Sequence, residues 1–315
     1  MIKVLLIDTI HSDLKNNLFK NGVFCEEKTS ESKDQILKSI HQYVGIILRS
    51  RFKIDKYFIN KASNLKFIAR FGSGMENIDL NEAKKYKIKC INAPKGNSNA
   101  VGEHTLGLLL SLTKNIQASN LEVKDGKWKR EQNRGIEISN KTIGIIGYGN
   151  AGTSFSKKLF GFGCKVLAYD KYKKKINTKY VKQSSMSKIF KNADILSLHI
   201  PLTEETKYLI DNEYLNKFSK NIFLINTSRG QIVKTNDLIK NIKSGKIIGA
   251  GLDVLENENI NFENLNKTNN DELEFLKKSP KVILTPHIAG WSHESNILMS
   301  EILTKKILSH LKSIK

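Results

Sequence analysis

The sequence is poor in cysteine, proline and arginine, which number 3, 4 and 6 in 315 residues. Cys25, Cys90 and Cys164 lie far apart without CxxC or metal-ligand spacing, which excludes a disulfide framework and favours buried thiols in a reducing compartment. Long apolar runs are also absent. The N-terminal run MIKVLLID ends at Asp8, too short to span a membrane and without a signal-peptide cleavage pattern. We therefore expect a cytoplasmic protein with no metal site and no membrane partner.

Acidic residues are too few to balance the basic ones. The chain has 31 Asp and Glu against 52 Lys and Arg, a formal net charge of +21. A basic face would attract the phosphates of a nucleic acid, but the lysines are spread over nearly every predicted element. We therefore predict no nucleic-acid partner.

Strand-like and helical segments alternate along the chain, which is typical of α/β proteins with parallel sheets. The strands predicted for a first unit are Lys3–Ile7, Val23–Glu26, Gly45–Leu48, Phe67–Ala69 and Ile88–Asn92. Those predicted for a second unit are Thr142–Ile146, Lys165–Tyr169, Ile195–His199, Ile222–Asn226, Ile247–Leu252 and Val282–Leu284. One long helix is predicted at Ala100–Lys124, to cross between domains or to pack against a partner, and another at Ser295–Leu311. The Asn- and Glu-rich stretch Asn257–Asp271 is a predicted surface insertion.

The stretch GIIGYGNAG at residues 144–152 lies where a dinucleotide-binding turn has to lie. The predicted strand Thr142–Ile146 precedes it, and the helical pattern Ala151–Phe162 follows it. Gly147 allows the tight turn, Gly149 lets the backbone approach a pyrophosphate, and Gly152 lets the helix pack on the strand. Because the first amide groups of a helix attract phosphate, the pattern predicts a dinucleotide cofactor.

Asp170 ends the next predicted strand. A carboxylate at this place accepts hydrogen bonds from the ribose hydroxyls and would repel a 2′-phosphate. We therefore predict NAD rather than NADP as the cofactor.

Three segments after predicted strands carry groups suited to hydride-transfer chemistry. They hold Arg229 in INTSRG, an acidic group in GLDVLENE, and His287 in TPHIAG. Ligands of an open α/β sheet bind at this edge. Histidine can exchange the hydroxyl proton, a nearby carboxylate stabilises its charged form, and a guanidinium grips a carboxylate through two hydrogen bonds. Taken singly, each residue is better explained as a salt bridge, a solvated charge or a core histidine. Together on a nucleotide-binding sheet, they predict a dehydrogenase.

Over nearly its whole length, the chain resembles the D-isomer-specific 2-hydroxyacid dehydrogenases. The resemblance rests on eight motifs in order: ARFGSGMENID (69–79), NAPKGN (92–97), VGEHTLGLLL (101–110), GIIGYGNAG (144–152), HIPLT (199–203), INTSRG (225–230), GAGLDV (249–254) and TPHIAG (285–290). It implies a Rossmann-type NAD-binding domain over residues 99–291, inserted in a smaller flavodoxin-like α/β substrate domain of residues 1–98 and 292–315. It also implies a homodimer.

The resemblance further implies a role for each matching residue. Arg229 would bind the carboxylate and carbonyl of the substrate, His287 would be the acid/base, and Glu258 its partner. NAD would be contacted by Gly147, Gly149, Asn150, Ala151, Gly152, Asp170, Ile200, Pro201, Thr227, Asp253 and Gly290. The substrate would be contacted by Ser73 and Gly74, through backbone N–H groups, and by Asn97. The family's glutamate is usually followed by proline, whereas here Asn259 follows Glu258, so Glu256 stays an alternative partner of His287. His104 and His199 are interpreted as structural or cofactor-shaping.

Within the family, the chain most resembles the phosphoglycerate dehydrogenases, which oxidise 3-phosphoglycerate to 3-phosphohydroxypyruvate for serine biosynthesis. In a chain that otherwise uses lysine, arginine indicates a need for a planar, bidentate donor. Arg49, Arg70 and Arg130 match positions that grip the substrate phosphate, and Arg130 is expected to reach into a neighbouring subunit's site. The alternatives are a glyoxylate/hydroxypyruvate reductase, a D-lactate-type dehydrogenase and, from another class, an NAD-sensing corepressor. A formate dehydrogenase is disfavoured because its histidine pairs with glutamine.

Overall fold

The structure, a computed structural model, describes residues 2–176, 178–259 and 270–314. These residues form two compact units, the first of residues 2–98, 259 and 291–314 and the second of residues 99–258 and 270–290. Most of the predicted surface insertion, residues 260–269, lies outside the described residues.

A five-stranded parallel sheet is the centre of the first unit. Its strands are β1 (Ile2–Leu6), β2 (Val23–Glu27), β3 (Gly45–Leu48), β4 (Phe67–Arg70) and β5 (Lys89–Asn92), in the order β2-β1-β3-β4-β5. Its helices are α1 (Ser12–Phe19), α2 (Lys33–Ser39), α3 (Lys56–Lys61), α4 (Leu80–Lys85) and the last helix of the chain, α12 (His293–Ser313). This strand order is the flavodoxin-like one, in which ligands bind at the carboxyl ends of the strands.

The last helix completes the core of the first unit. Met299, Leu303, Ile307 and Leu311 of α12 are buried against one face of the sheet, beside α1. Burying a side chain of this size stabilises a fold by roughly 1.5–3 kcal/mol. The two ends of the described chain therefore build one unit, with β1 between β2 and β3 in the sheet and α12 on its face.

A seven-stranded parallel sheet is the centre of the second unit. Its strands are β6 (Thr142–Ile146), β7 (Lys165–Tyr169), β8 (Lys182–Gln183), β9 (Ile195–Leu198), β10 (Ile222–Asn226), β11 (Ile247–Leu252) and β12 (Val282–Leu284), in the order β12-β11-β10-β9-β6-β7-β8. Its helices are α5 (Ser98–Thr113), α6 (Ile116–Lys124), α7 (Asn150–Lys158), α8 (Met186–Asn192), α9 (Asn212–Asn216), α10 (Thr235–Lys243) and α11 (Asn270–Lys278).

The strand order reverses at β6, which lies between β7 and β9. This is the switch point of a doubly wound, Rossmann-type sheet, and the crevice beside it is the usual ligand site of such folds. The carboxyl ends of β6, β9, β10, β11 and β12 lie along the same edge of the sheet because all these strands are parallel. The predicted α/β fold class is confirmed.

The prediction of one continuous helix over Ala100–Lys124 was wrong. The segment forms two helices, because Asn115 between α5 and α6 has a φ of 53° in the left-handed region, which asparagine tolerates better than most residues. Leu108, Leu109 and Leu112 of α5 belong to the core of the second unit, whereas α6 buries none of its residues.

Two further differences have local causes. The helix predicted at Ala151–Phe162 ends at Lys158, because Gly161 and Gly163 adopt positive φ values of 99° and 67°. Strand β8 was not predicted, since its two residues are exposed and carry no apolar pattern. None of the helices in the described part of the chain combines the length and apolar character that a membrane span requires.

Candidate active site and cofactor site

The glycine turn joins β6 to α7 at the switch point. Gly147 has a φ of 89°, and a Cβ atom there would lie 2.3 Å from the carbonyl oxygen of His199. A Cβ on Gly152 would lie 2.1 Å from the carbonyl oxygen of Gly147, whereas one on Gly149 would meet no atom of the described residues within 4 Å. Two glycines are thus needed by the fold, and the space at Gly149 fits the approach of a pyrophosphate. Within the described part of the chain, no side chain caps the start of α7, so this helix end suits a phosphate.

The carboxylate of Asp170 connects the glycine turn to the end of β7. Its Oδ2 accepts a hydrogen bond from the Tyr148 backbone N–H at 2.8 Å, and its Oδ1 accepts from the N–H groups of Tyr172 and Lys173 at 3.0 Å each. The Lys173 ammonium group donates to the Tyr148 carbonyl at 2.6 Å. These four contacts fix a negative charge next to the glycine turn, where the ribose of a dinucleotide would lie.

Replacing Asp170 with alanine should narrow the preference for NAD over NADP. We expect the ratio of their kcat/KM values to fall by about 10- to 100-fold, the effect of one hydrogen bond to a charged group, since Lys171 and Lys173 would then face a 2′-phosphate without the carboxylate. Steady-state rates with NADH and NADPH measure this. Asp170→Asn is the control, because it keeps an acceptor for the backbone N–H groups. An unmodified protein that used both cofactors equally would contradict this role of Asp170.

The remaining residues expected to contact NAD lie at the same sheet edge. Asn150 and Ala151 begin α7, Ile200 and Pro201 follow β9, and Gly290 follows the turn that carries His287. Thr227 is buried after β10, and its hydroxyl lies 2.9 Å from that of Thr105 on α5. Their contacts with NAD stay predictions.

The turn after β10 holds Arg229. Asn226 is only 1% exposed, and its Oδ1 accepts hydrogen bonds from the backbone N–H and the hydroxyl of Ser228, at 3.1 and 2.8 Å. Its amide nitrogen donates to the Arg229 carbonyl at 2.9 Å, and the Arg229 guanidinium donates to the Ser228 carbonyl at 2.6 Å. Sequence reasoning missed Asn226, although its place at the end of a buried strand could have indicated it.

His287 and Glu258 form a hydrogen-bonded pair in the second unit. Nδ1 of the imidazole lies 2.7 Å from Oε2 of the carboxylate, and the two side chains are 20% and 14% exposed. The other carboxylate oxygen of Glu258 accepts from the Leu255 backbone N–H. An ionised carboxylate can only accept a hydrogen bond, so this contact requires a proton on Nδ1. That leaves Nε2 as the ring atom suited to exchange a proton with a substrate.

Glu256, the alternative partner of His287, has other contacts. Its Oε2 accepts a hydrogen bond from the Thr235 backbone N–H at 2.9 Å, at the start of α10. It also bonds to the hydroxyl of Tyr208, and this hydrogen bond raises the pKa of Tyr208. The structure therefore brings His287 together with Glu258 and places Glu256 in a structural role.

Asp253 organises the turn that presents His287. This carboxylate is 1% exposed and accepts hydrogen bonds from the Thr285 hydroxyl at 2.6 Å and from the backbone N–H groups of Ile288 and Ala289 at 2.9 and 2.8 Å. The Asp253 carbonyl accepts from the N–H of His287 at 2.8 Å. These bonds hold His287 at a φ of 56°, a left-handed conformation that costs a non-glycine residue about 1 kcal/mol or more.

His104 supports the same turn from α5. Its Nε2 lies 2.9 Å from the Thr285 hydroxyl and 3.4 Å from Oδ1 of Asp253.

Asp253 was expected to contact NAD, and that contact stays a prediction. The sequence did not indicate that its two carboxylate oxygens serve the backbone of the His287 turn, because these contacts join residues more than thirty positions apart.

Replacing Glu258 with glutamine should lower kcat for 2-oxo acid reduction, by less than the loss of His287 itself would. The carboxylate orients the imidazole through Nδ1 at 2.7 Å and stabilises its charged form, whereas the amide keeps the size of the side chain without the charge. Glu256→Gln is the matched control and should leave kcat unchanged. The pairing in the structure would lose its functional meaning if only the Glu256 variant lost rate.

His199 is a second histidine, and its carbonyl oxygen lies beside Gly147 of the glycine turn. The surroundings of its ring do not suit proton transfer. Its Nε2 lies 2.9 Å from the Ser197 hydroxyl, and its buried Nδ1 has no hydrogen-bond partner among the described residues. The ring packs against Phe155, with 5.5 Å between the ring centroids. Burial lowers the pKa of His199 from 6.5 to about 3, so the ring is neutral in the folded protein near pH 7.

His199 should make the fold sensitive to acid. The unfolded chain binds a proton at this histidine below pH 6.5, whereas the folded protein does so only near pH 3. The free energy of unfolding should therefore fall as the pH drops between these values, by up to about 1.4 kcal/mol per pH unit. Urea unfolding of His199→Gln should show a shallower fall from pH 6 to pH 4 than the unmodified protein. His41→Gln, at an exposed histidine, should not; equal slopes for all three proteins would contradict the expectation.

The first unit places most of the expected substrate residues at the carboxyl edge of its sheet. The Ser73 hydroxyl donates to the Asn97 side chain at 2.5 Å, and Asn92 at the end of β5 donates to the Ser73 carbonyl at 2.6 Å. Arg70 is 8% exposed, and its Nε donates to the Arg49 carbonyl at 3.1 Å. Gly74 follows Ser73 in this half-buried loop. Arg70 therefore supports Arg49 from below the surface.

Arg130 is exposed in a turn of the second unit after α6. Its expected role in a neighbouring subunit's site stays a prediction. Among the described residues, no group of three or more His, Cys, Asp or Glu side chains could hold a metal ion.

Comparison with known proteins bears on these arrangements. Residues 106–289 match the family model described as D-isomer specific 2-hydroxyacid dehydrogenase, NAD binding domain. That is more than half of the chain. The chain belongs to the D-isomer-specific 2-hydroxyacid dehydrogenase family. Its second unit carries the family's NAD-binding domain, and the predicted cofactor is confirmed as NAD.

Relatives within the dehydrogenase family carry different names. The chain is 33% identical to D-3-phosphoglycerate dehydrogenase of Archaeoglobus fulgidus, over 99% of this chain and 58% of that protein. It is 35% identical to hydroxypyruvate reductase of Thermotoga maritima, over 90% of this chain and 91% of that protein. The chain thus spans little more than half of the first relative and nearly all of the second.

Solved structures of dehydrogenases share the fold. D-2-hydroxyisocaproate dehydrogenase superposes with a TM-score of 0.87 at 26% identity, over 100% of this chain and 98% of that one. D-lactate dehydrogenase from Aquifex aeolicus, complexed with NAD and lactic acid, superposes with a TM-score of 0.86 at 27% identity, over 98% of this chain and 96% of that one.

Proposed function

We propose that this protein is an NAD-dependent oxidoreductase of D-2-hydroxy acids, and most specifically a D-3-phosphoglycerate dehydrogenase acting in serine biosynthesis. The observation that carries the enzymatic part is the 2.7 Å pair of His287 and Glu258. It lies at the same edge of the parallel sheet as Arg229 and the glycine turn. We propose the first unit as the substrate-binding domain and the second as the NAD-binding domain.

The chemistry follows from three side chains. Bound NAD supplies the hydride acceptor for an alcohol and, once reduced, the hydride donor for a 2-oxo acid. In the oxidation, Nε2 of His287 takes the hydroxyl proton, and Glu258 stabilises the imidazolium that forms. In the reduction, the same Nε2 returns the proton to the carbonyl oxygen. Arg229 grips the carboxylate and polarises the carbonyl through its planar N–H groups.

The phosphate in the proposed substrate is supported by the choice of arginine. Arg49 and Arg130 are two of only six arginines among 52 basic residues, and a guanidinium binds phosphate through two parallel hydrogen bonds. A second candidate, a hydroxypyruvate or glyoxylate reductase, is favoured by the Thermotoga maritima relative, which this chain matches at 35% identity.

A panel of 2-oxo acids decides between these substrates. With NADH oxidation followed at 340 nm, we expect kcat/KM for 3-phosphohydroxypyruvate to exceed the values for hydroxypyruvate, glyoxylate and pyruvate by about 100-fold or more, as the loss of a charged contact would give. Arg130→Ala should raise KM for the phosphorylated acid only. Arg134→Ala is the matched control, because the Arg134 guanidinium is held by Glu131 at 2.8 and 2.9 Å. Equal rates on all four acids would remove the phosphate assignment and leave the dehydrogenase.

We also propose that the protein is a homodimer in the cytoplasm. Support comes from α6 and the turn after it, where Ile116, Leu121 and Val123 are at least half exposed and Trp128 is 83% exposed. Ile116 and Val123 lie seven positions apart and share one face of α6, and exposed apolar side chains grouped in this way are typical of a protein interface. Light scattering should give twice the chain mass, and Val123→Glu should lower it, whereas Phe160→Glu at another exposed apolar site should not.

A further inference from the structure

Arg49 stacks on an aromatic ring in the first unit. Its guanidinium carbon lies 4.1 Å from the centre of the Trp291 ring, and Trp291 is 50% exposed. By comparison, the Arg51 guanidinium lies 5.8 Å from the Phe52 ring and donates to the carbonyls of Ile7, Lys28 and Glu31. Arg51 is therefore held by backbone carbonyls, and the contact that distinguishes Arg49 is its position over the tryptophan ring.

The backbone of Arg49 is fixed from both sides. Its N–H donates to the Asp8 carboxylate at 2.6 Å, and its carbonyl accepts from the Arg70 Nε at 3.1 Å and from the Asn77 amide at 3.2 Å. Arg70 and Asn77 are themselves buried. The side chain thus starts from a rigid point directly after β3.

The ring of Trp291 also starts from a rigid point. The next residue, Ser292, is the N-cap of α12 and exchanges hydrogen bonds of 3.0 Å with Ser295 in a capping box. The helix that follows is anchored in the core of the first unit. The ring is thus held at the start of α12, in the same unit as Arg49.

Stacking on an indole face orders a guanidinium through the face of the group and does not use its N–H groups as hydrogen-bond donors. A cation over the indole face is attracted by the π system, while the N–H groups of arginine point outward in the guanidinium plane. An arginine held in this way loses less side-chain entropy when its edge binds a planar or tetrahedral anion. Lysine, which has no planar face, would not gain the same order.

We propose that Trp291 is a positioning residue that holds the Arg49 guanidinium for the anionic group the substrate carries away from its reacting carbon. The inference rests on the proposed function and refines it. It assigns the recognition of a phosphorylated or otherwise dianionic acid to the stacked pair, and it makes Trp291 a determinant of substrate choice.

Kinetics of Trp291→Leu and Trp291→Phe test the proposal. In the leucine variant, we expect KM for 3-phosphohydroxypyruvate to rise about 10-fold, within the range known for partly exposed cation–π pairs, with kcat changed less than 2-fold and KM for glyoxylate unchanged. The phenylalanine variant should recover part of the loss because it keeps a ring. A uniform loss on both substrates with a lower melting temperature would show a merely structural role and overturn the proposal.

Fluorescence tests the same pair without turnover. The chain has two tryptophans, so Trp128→Phe leaves Trp291 as the only one. Adding 3-phosphoglycerate without cofactor should change its emission with a saturable curve, and an added Arg49→Lys change should weaken the apparent affinity about 10-fold or more. A response that Arg49→Lys leaves intact would overturn the proposal.

The failure of the proposed function would look different from the failure of this inference. If the unmodified protein reduced all 2-oxo acids equally, the phosphoglycerate assignment would fall. Emission that still responded to 3-phosphoglycerate through Arg49 would then support the stacked pair as an anion site. A strong preference for the phosphorylated acid that Trp291→Leu left intact would overturn the role of Trp291 alone.

Discussion

Replacing His287 with alanine should lower kcat by about 10²–10⁴-fold, the usual contribution of a general acid or base. The structure gives the reason. The imidazole is oriented by Glu258 at 2.7 Å, and the Asp253 carbonyl accepts a hydrogen bond of 2.8 Å from the His287 backbone N–H, so the ring is held in place for proton transfer. The rate of NADH oxidation with the preferred 2-oxo acid measures the loss.

Binding of NADH separates this effect from unfolding. The glycine turn and Asp170 are untouched in His287→Ala, so the affinity measured by NADH fluorescence should stay close to that of the unmodified protein. His293→Ala is the matched control, because His293 is exposed at the start of α12. A His287 variant that kept more than a tenth of the turnover would rule out the proton-transfer role.

Replacing Arg229 with glutamine should lower kcat/KM for the 2-oxo acid by about 10²–10⁴-fold. A bidentate contact with a carboxylate contributes two charge-assisted hydrogen bonds, each roughly 1.5–3 kcal/mol. The turn itself should survive, because Asn226 holds it through the Ser228 N–H and hydroxyl and the backbone carbonyl of residue 229. Arg229→Lys should recover little, since a point charge cannot reproduce the planar fork.

Chemical rescue sharpens the Arg229 prediction. Adding guanidinium ion at millimolar concentration to Arg229→Ala should restore part of the rate, because the small cation can occupy the place of the missing side chain. The affinity for NADH should not change. Unaltered KM and kcat in Arg229→Gln would show that the residue serves only the turn.

Much of the sheet could be predicted from the sequence because parallel strands are continuous apolar runs. The bounds of β6, β7, β10, β11 and β12 agree with the predicted strands to the residue. The break at Asn115 and the two-residue strand β8 could not be predicted, since neither has an apolar signature. One depends on a single left-handed residue and the other on pairing with β7.

The candidate site was predictable in its residue types and less so in its contacts. Spacing alone left both Glu256 and Glu258 as partners for His287, and only the fold shows that Glu256 is taken by Thr235 and Tyr208. Asp253 was expected to touch NAD, but its carboxylate bonds join segments distant in sequence. Such contacts depend on which loops the strand order brings together, which local patterns do not encode.

The place of α12 in the first unit has a consequence for the synthesis of the chain. The sheet face that holds Val4, Leu6 and Phe67 is covered in part by side chains near residue 300, which leave the ribosome only after the entire second unit. At about 5–20 residues per second, that delay is roughly 10–40 s. During it, the second unit can fold, whereas the first keeps an apolar face uncovered. A nascent chain stalled before α12 would therefore be a substrate for chaperones and proteases even though its NAD-binding unit was complete.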